Sequence, residues 1–145
     1  MPVVSDLLLS KGSHIFTISP SAKVLDAIAR MNEHQIGALV VMEGSQIVGM
    51  FTERDVLRRV MAQMRPPEHV TVAEVMTTQV IICPDDTDVE DVSRIMKDRR
   101  IRHLPVCDAD GGLRGLISIG DLNAFYASAQ EQTIHYLTDY IYGRA

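Results

Sequence analysis

Apolar residues recur along this chain in two rhythms that alternate. Val24, Leu25, Ile28, Ala29 and Met31 fall at helical spacing through Glu33, opposite Lys23, Asp26 and Arg30, and predict an amphipathic helix. From Ile36 to Asp55, IGALVVMEGSQIVGMFTERD, the rhythm becomes that of two β-branched-rich strands around the turn Glu43-Gly44-Ser45, with a polar exit. The order returns at Ile101 to Asp121, IRHLPVCDADGGLRGLISIGD. There Leu104 to Cys107 and Leu113 to Ile119 read as strands, and Asp108-Ala109-Asp110-Gly111-Gly112 supplies the Asp and Gly of a turn with positive φ. A helix opens at Asp55, with Val56, Leu57, Val60 and Met61 expected inward and Arg58 and Arg59 outward; another, Leu122 to Ala129, follows the caps Ser118 and Asp121. Upstream of each hairpin the pattern predicts a lead-in helical turn (4 to 9; Val72 to Met76) and a strand (Ile15 to Ile18; Val80 to Ile82). In the second copy the helix Val89 to Lys97 comes next, behind the acidic Asp85-Asp86-Thr87-Asp88.

The two copies are in register. Val24/Val89, Asp26/Asp91, Met31/Met96, Ile36/Ile101, Leu39/Leu104 and Val41/Val106 are each 65 apart, and Gly49/Gly115, Thr52/Ser118 and Asp55/Asp121 are 66 apart. The extra residue falls in the hairpin turn, where insertion costs least. Two copies of one small unit packed face to face are therefore expected, since a solenoid needs three or more. The consecutive prolines of Arg65-Pro66-Pro67-Glu68 cannot continue a helix. The expected division is 4–64 for repeat one, 65–71 for the linker, 72–129 for repeat two and 130–145 for a C-terminal segment. In that segment Gln132 to Tyr142 places Ile134, Leu137 and Ile141 on one face and Tyr136 and Tyr140 four apart. This extra helix either covers its own module or pairs protomers.

Gly-apolar-apolar-Thr/Ser-x-x-Asp, closing a strand-turn-strand unit twice in one chain, resembles the cystathionine β-synthase (CBS) domain pair, or Bateman module, over about residues 4 to 129. With TERD, RHLPV, SIGD and the tail YIYG, the chain is similar to short stand-alone CBS-pair proteins of bacteria and to plant organellar relatives proposed to regulate thioredoxins. The resemblance implies an α/β (α+β) fold of two β-α-β-β-α repeats related by a pseudo-two-fold axis, with an extra C-terminal helix.

Length and charge narrow the setting. A chain of 145 residues buries roughly two-thirds of its unfolded surface, but a repeat of about 60 residues wants its twin to cover an open apolar face. The net charge of −5 argues against nucleic acid or an anionic membrane surface as partner. No apolar run approaches the ~20 residues of a membrane span, and MPVVSDLLLSKG lacks a basic n-region. Cys83 and Cys107 form no C-x-x-C and read as buried thiols of a reducing compartment, so a cytoplasmic protein is expected. Met31, Met42, Met50, Met61, Met64, Met76 and Met96 read as core fill.

No catalytic constellation is present in the sequence: there is no G-x-S-x-G, no H-E-x-x-H and no P-loop, and the five histidines lack metal-ligand spacing. The expectation is a protein that binds rather than reacts, is not an enzyme and needs no metal. Asp55 and Asp121 each stand three residues beyond a Thr or Ser at a strand-to-helix junction, where carboxylate and hydroxyl meet free helix N–H groups. By themselves they read as caps. The resemblance implies that each Asp instead accepts the ribose hydroxyls of an adenosine ligand, with Thr52 and Ser118 facing phosphate. The ligand expected is AMP first, with ADP, ATP or NAD as alternatives.

Arg54 adds a cation beside Asp55. Gly37-Ala38 in repeat one corresponds to Arg102-His103 in repeat two: the small pair leaves room for a planar base, and the basic pair offers donors to phosphate. Under the implied symmetry Arg102 and His103 face the phosphate of the ligand seated on Asp55, which makes that site the tighter one. Lys11 is a further phosphate candidate, and Ile15, Phe16, Gly37, Ala38 and Pro105 are the adenine-pocket residues the resemblance implies. Lys97, Arg99 and Arg100 read as solvated charges at a helix C-terminus. The working expectation is a regulatory nucleotide sensor, homodimeric and acting on a partner protein; the alternative is a ligand-independent docking module for an enzyme, transporter or thioredoxin.

Overall fold

The computed structural model of the chain describes residues 1–12 and 14–141. Its elements run α1 (Val4–Lys11), β1 (Thr17–Ile18), α2 (Val24–His34), β2 (Ala38–Glu43), β3 (Gln46–Thr52), α3 (Glu53–Asp55), a π-helical stretch (Val56–Met61), α4 (Val72–Val75), β4 (Cys83–Pro84), α5 (Val89–Arg99), β5 (His103–Cys107), β6 (Leu113–Ser118) and α6 (Ile119–Ile141). Two three-stranded sheets result, β1-β2-β3 and β4-β5-β6, each with its first strand parallel to the second and the hairpin antiparallel. The likeness extends to the irregularities, since the register slips at Val41/Met42 and at the equivalent Val106/Cys107. In the second hairpin Gly111 takes φ 83°, and Asp108 Oδ1 accepts from the N–H groups of Asp110 (3.0 Å) and Gly112 (2.9 Å).

The helix that opens each repeat packs on the core of the other one. Val4, Leu7 and Leu8 of α1 share a core with Cys83, Val92, Met96, Leu104 and Ile117, whereas Val72 and Val75 of α4 share one with Val24, Leu39, Phe51 and Val60. Reciprocal bridges, Val3 with Asp88 and Lys23 with Thr71, mark the pseudo-two-fold relation. The glycine of each motif is where the visiting segment comes closest. A Cβ on Gly49 would stand 2.6 Å from Met76 Sδ and 3.0 Å from the Thr77 carbonyl, and one on Gly115 would run into Leu8 Cδ2. A third cluster, built on Ala38, Val40 and Met50 with Met42, Ile47, Val80, Leu113 and Leu116 against it, fills the space between the sheets.

Several expectations shift. The first strand of repeat two is Cys83–Pro84 rather than Val80 to Ile82, which leaves Val80 to the inter-sheet cluster and Ile81 to the core of repeat two. The buried stripe of α2 is Val24, Ala27 and Met31, and Leu25 faces solvent. Leu57 and Met61, expected inward, are 65% and 58% exposed, and Met64, expected as core fill, is 91% exposed. The cause for Leu57 and Met61 is the π-helical winding, with Ala62 N–H bonded to Leu57 O (2.9 Å) and Arg65 N–H to Val60 O (2.9 Å), which turns only Val60 fully inward. The helices expected at Leu122 to Ala129 and from Gln132 are one continuous α6, because Ser128 to Glu131 contains no breaker. Tyr142 lies outside the described residues.

Candidate functional site: a cleft shared by the two repeats

At the end of β3 the chain turns into a helix through a reciprocal cap. Thr52 Oγ1 receives the Asp55 N–H (3.3 Å), and Asp55 Oδ2 receives the Thr52 N–H (3.0 Å). Asp55 is 5% exposed, and the Thr77 hydroxyl, carried in by the segment after α4, reaches its Oδ1 (3.1 Å). Arg59 Nε stands 3.6 Å from the same oxygen. The cap reading of Asp55 is thus realised, and Oδ1 is the less crowded oxygen.

The second motif repeats the cap with a different third partner. Asp121 Oδ2 accepts from Ser118 N–H (2.7 Å) and from Lys11 Nζ (2.8 Å), while Lys11 also donates to the Leu116 carbonyl (2.6 Å). Burial, the largest single influence, pushes the Asp121 carboxyl up, but the bonds from Lys11 and Ser118 and the Lys11 charge outweigh it and hold it below the usual range.

A cleft of about 460 Å³ opens on the Asp55 side. Repeat one contributes Gly37, Met50, Thr52, Glu53, Arg54, Asp55, Leu57 and Arg58; repeat two contributes Arg99, Arg100, Ile101, Arg102, His103 and Pro105, with Thr77 and Gln79 to Ile81 leading into it. A guanidinium N–H of Arg54 donates to the Arg100 carbonyl (3.2 Å) and ties the two walls. His103, half-buried in this cleft, feels the charges of Lys11, Arg102 and Asp121 as well as that of Glu53. Its pKa is lowered, first by burial, then by the Lys11 charge.

Of the residues singled out from the sequence, Gly37, Thr52, Arg54, Asp55, Arg102, His103 and Pro105 therefore meet in one cleft. The others do not join them. Lys11, Ser118 and Asp121 form the symmetry-related cluster, in which the Lys11 ammonium is paired with Asp121. Phe16 stacks on His34 (4.1 Å between ring centroids) and underlies Arg30 (5.9 Å), Ala38 is buried between the sheets, and Ile15 is half-buried outside the cleft. Arg99 and Arg100, read as bystanders, line the wall. Val80 and Ile81 were missed, although they stand 65 residues after Ile15 and Phe16 and the pseudo-two-fold exchange brings them to Asp55.

The family model for the CBS domain matches residues 4–62 and again 72–128. The chain belongs to the CBS domain family. A mitochondrial CBS domain-containing protein of Arabidopsis thaliana, CBSX3, is 34% identical over 97% of this chain and 72% of its own. The structure of a putative signal-transduction protein with CBS domains from Burkholderia ambifaria is 39% identical, with a TM-score of 0.85, over 89% of this chain and 96% of that one. CBSX2 in complex with AMP matches at a TM-score of 0.72 and 24% identity, over 90% of this chain and 99% of that one, which shows a shared fold.

Both thiols of this CBS pair are free and buried, and burial raises each pKa, that of Cys83 to about 11. Among the described residues no group of His, Cys, Asp and Glu is arranged to hold a metal ion, and no helix is long and apolar enough to cross a membrane.

Proposed function

We propose that this chain is a non-catalytic regulatory module that binds an adenosine nucleotide in the inter-repeat cleft, works as a homodimer and reports energy or redox state to a partner protein. The observation that carries this reading is the composition of the cleft: a hydroxyl and carboxylate from repeat one face the Arg102-His103 edge of repeat two across a gap suited to a small molecule. The gap belongs to neither repeat alone, so a ligand that contacts both walls biases the angle between them, and that angle is the output. In CBSX2 the same fold holds AMP.

The test is mass spectrometry of small molecules released from the purified protein, paired with melting curves in adenosine, AMP, ADP, ATP and NAD. A retained adenosine nucleotide, or a melting temperature that rises with one of them, supports the reading. An empty protein whose melting ignores all five supports a docking module, for which exposed Leu57, Met61 and Met64 at one end are the surface.

A further inference from the structure

The cleft holds more positive charge than a single phosphate requires. Five arginines line it, Arg54, Arg58, Arg99, Arg100 and Arg102, against the carboxylates of Glu53 and Asp55, and Arg59, itself outside the lining, already stands beside Asp55. Elsewhere among the described residues three arginines have a carboxylate partner, while Arg30 has none and its buried Nε makes no hydrogen bond. Arg65 pairs with Glu74 (3.2 Å), Arg94 with Asp91 (2.7 Å) and Arg114 with Asp85 (2.7 Å), and Arg30 lies over the Phe16 ring.

None of the five cleft arginines has an ion pair among the described residues, and the side chains of Arg58 and Arg99 make no hydrogen bond there either. The five are solvent-exposed, so water and salt screen their mutual repulsion, but together they give the concavity a local positive field, in a chain whose net charge is −5, that draws an anion. Each guanidinium presents a planar fork of donors that matches phosphate oxygens. A monophosphate, carrying roughly −1.5 to −2 charge, is served by one or two such forks, so the remainder fit a longer phosphate chain.

We propose that the cleft selects an adenosine di- or triphosphate over AMP, and that Arg58 from the π-helical segment and Arg99 from the end of α5 are the specificity-determining residues that reach the outer phosphates from opposite walls. This rests on the adenosine-nucleotide reading of the same cleft. It also gives the π-helical winding a consequence: the turn that leaves Leu57 and Met61 exposed is the one that carries Arg58 to the cleft.

The experiment is calorimetric titration of the full chain with adenosine, AMP, ADP and ATP at one ionic strength, with a chelator present. ATP should bind at least about tenfold more tightly than AMP, equivalent to about 1.4 kcal/mol. In the double variant Arg58→Gln, Arg99→Gln, the loss for ATP should exceed the loss for AMP by about tenfold or more, with an unchanged melting temperature of the free protein as the control for folding. AMP binding as tightly as ATP, or equal losses for the two in the double variant, would overturn the polyphosphate assignment and leave the nucleotide site standing. Failure of all four to bind, adenosine included, would overturn the site and this assignment with it.

Discussion

At the scale of single residues, the two motif aspartates are chemically alike and differently employed. Asp55 lines the cleft and Asp121 is clasped by Lys11, so Asp55→Ala should weaken nucleotide binding by about 1.5 to 3 kcal/mol, the range for a lost hydrogen bond to a charged group, and Asp121→Ala should matter less. Calorimetry reads the order directly, and a larger loss in Asp121→Ala would move the site to the other repeat. Because Asp55 also caps the helix and holds Thr77, the variant should cost about 0.5 to 2 kcal/mol of stability as well. His103 makes a prediction in pH. Its folded pKa is depressed below the unfolded ~6.5, so the unfolded chain takes up the proton first, and the stability His103 contributes is lost as pH falls from ~6.5 through the folded value. Replacing it by Gln should flatten this part of the pH profile in denaturant melts. A bound phosphate would raise the same pKa, so nucleotide affinity in wild type should grow on acidification below ~6.5 relative to His103→Gln, a comparison that removes the phosphate's own ionisation near ~6. That these residues gather at one cleft was legible in the sequence: Thr52 and Asp55 belong to a motif that returns at Ser118 and Asp121, and Arg102 and His103 stand where repeat one has Gly37 and Ala38. Arg58 and Arg99 were not, because an exposed arginine on a helix looks the same whether or not a second wall stands opposite.

At the scale of elements, the exchange of the lead-in helices decides which parts unfold together. Leu7 is buried in the core of repeat two although it belongs to the opening helix of repeat one, so Leu7→Ala should destabilise by about 2 to 5 kcal/mol. Hydrogen exchange should show the loss of protection in β4, β5 and β6 before β1, β2 and β3. Loss first in repeat one would contradict the exchanged packing. The motif glycines belong to the same account: Gly49→Ala pushes a methyl toward the Thr77 carbonyl, a backbone atom held by its own bridge to Met50, and should cost about 1 to 3 kcal/mol in chemical denaturation. Periodicity revealed α2, α5 and both hairpins, because these elements bury one face locally. It could not reveal the exchange, since a short apolar helix reads alike whichever core receives it, and the fusion of α6 went unread although no residue between Ala129 and Gln132 stops a helix.

At the scale of the whole molecule, the surface left over after folding carries the remaining prediction. Leu57, Met61 and Met64 are exposed in the segment that leaves Asp55, and Ile134, Tyr136, Leu137 and Ile141 are exposed along the far half of α6. Apolar side chains gathered this way are costly in water and suit burial against a second copy, where a two-fold axis lets one patch meet itself. The dimer should therefore be two-fold and should form at tens of micromolar in sedimentation, with or without nucleotide; a monomer there would refute it. Ile134→Asp with Leu137→Asp locates the contact. Both side chains are exposed within the chain, so the charges should leave the fold intact, and if α6 is the contact the dimer should dissociate while the monomer still binds nucleotide. An undisturbed dimer would assign the contact to the Leu57 and Met61 end. That outcome would join assembly to ligand binding physically, because Arg58 lies in the same π-helical segment, and a phosphate drawing it inward would shift the residues that hold the partner copy.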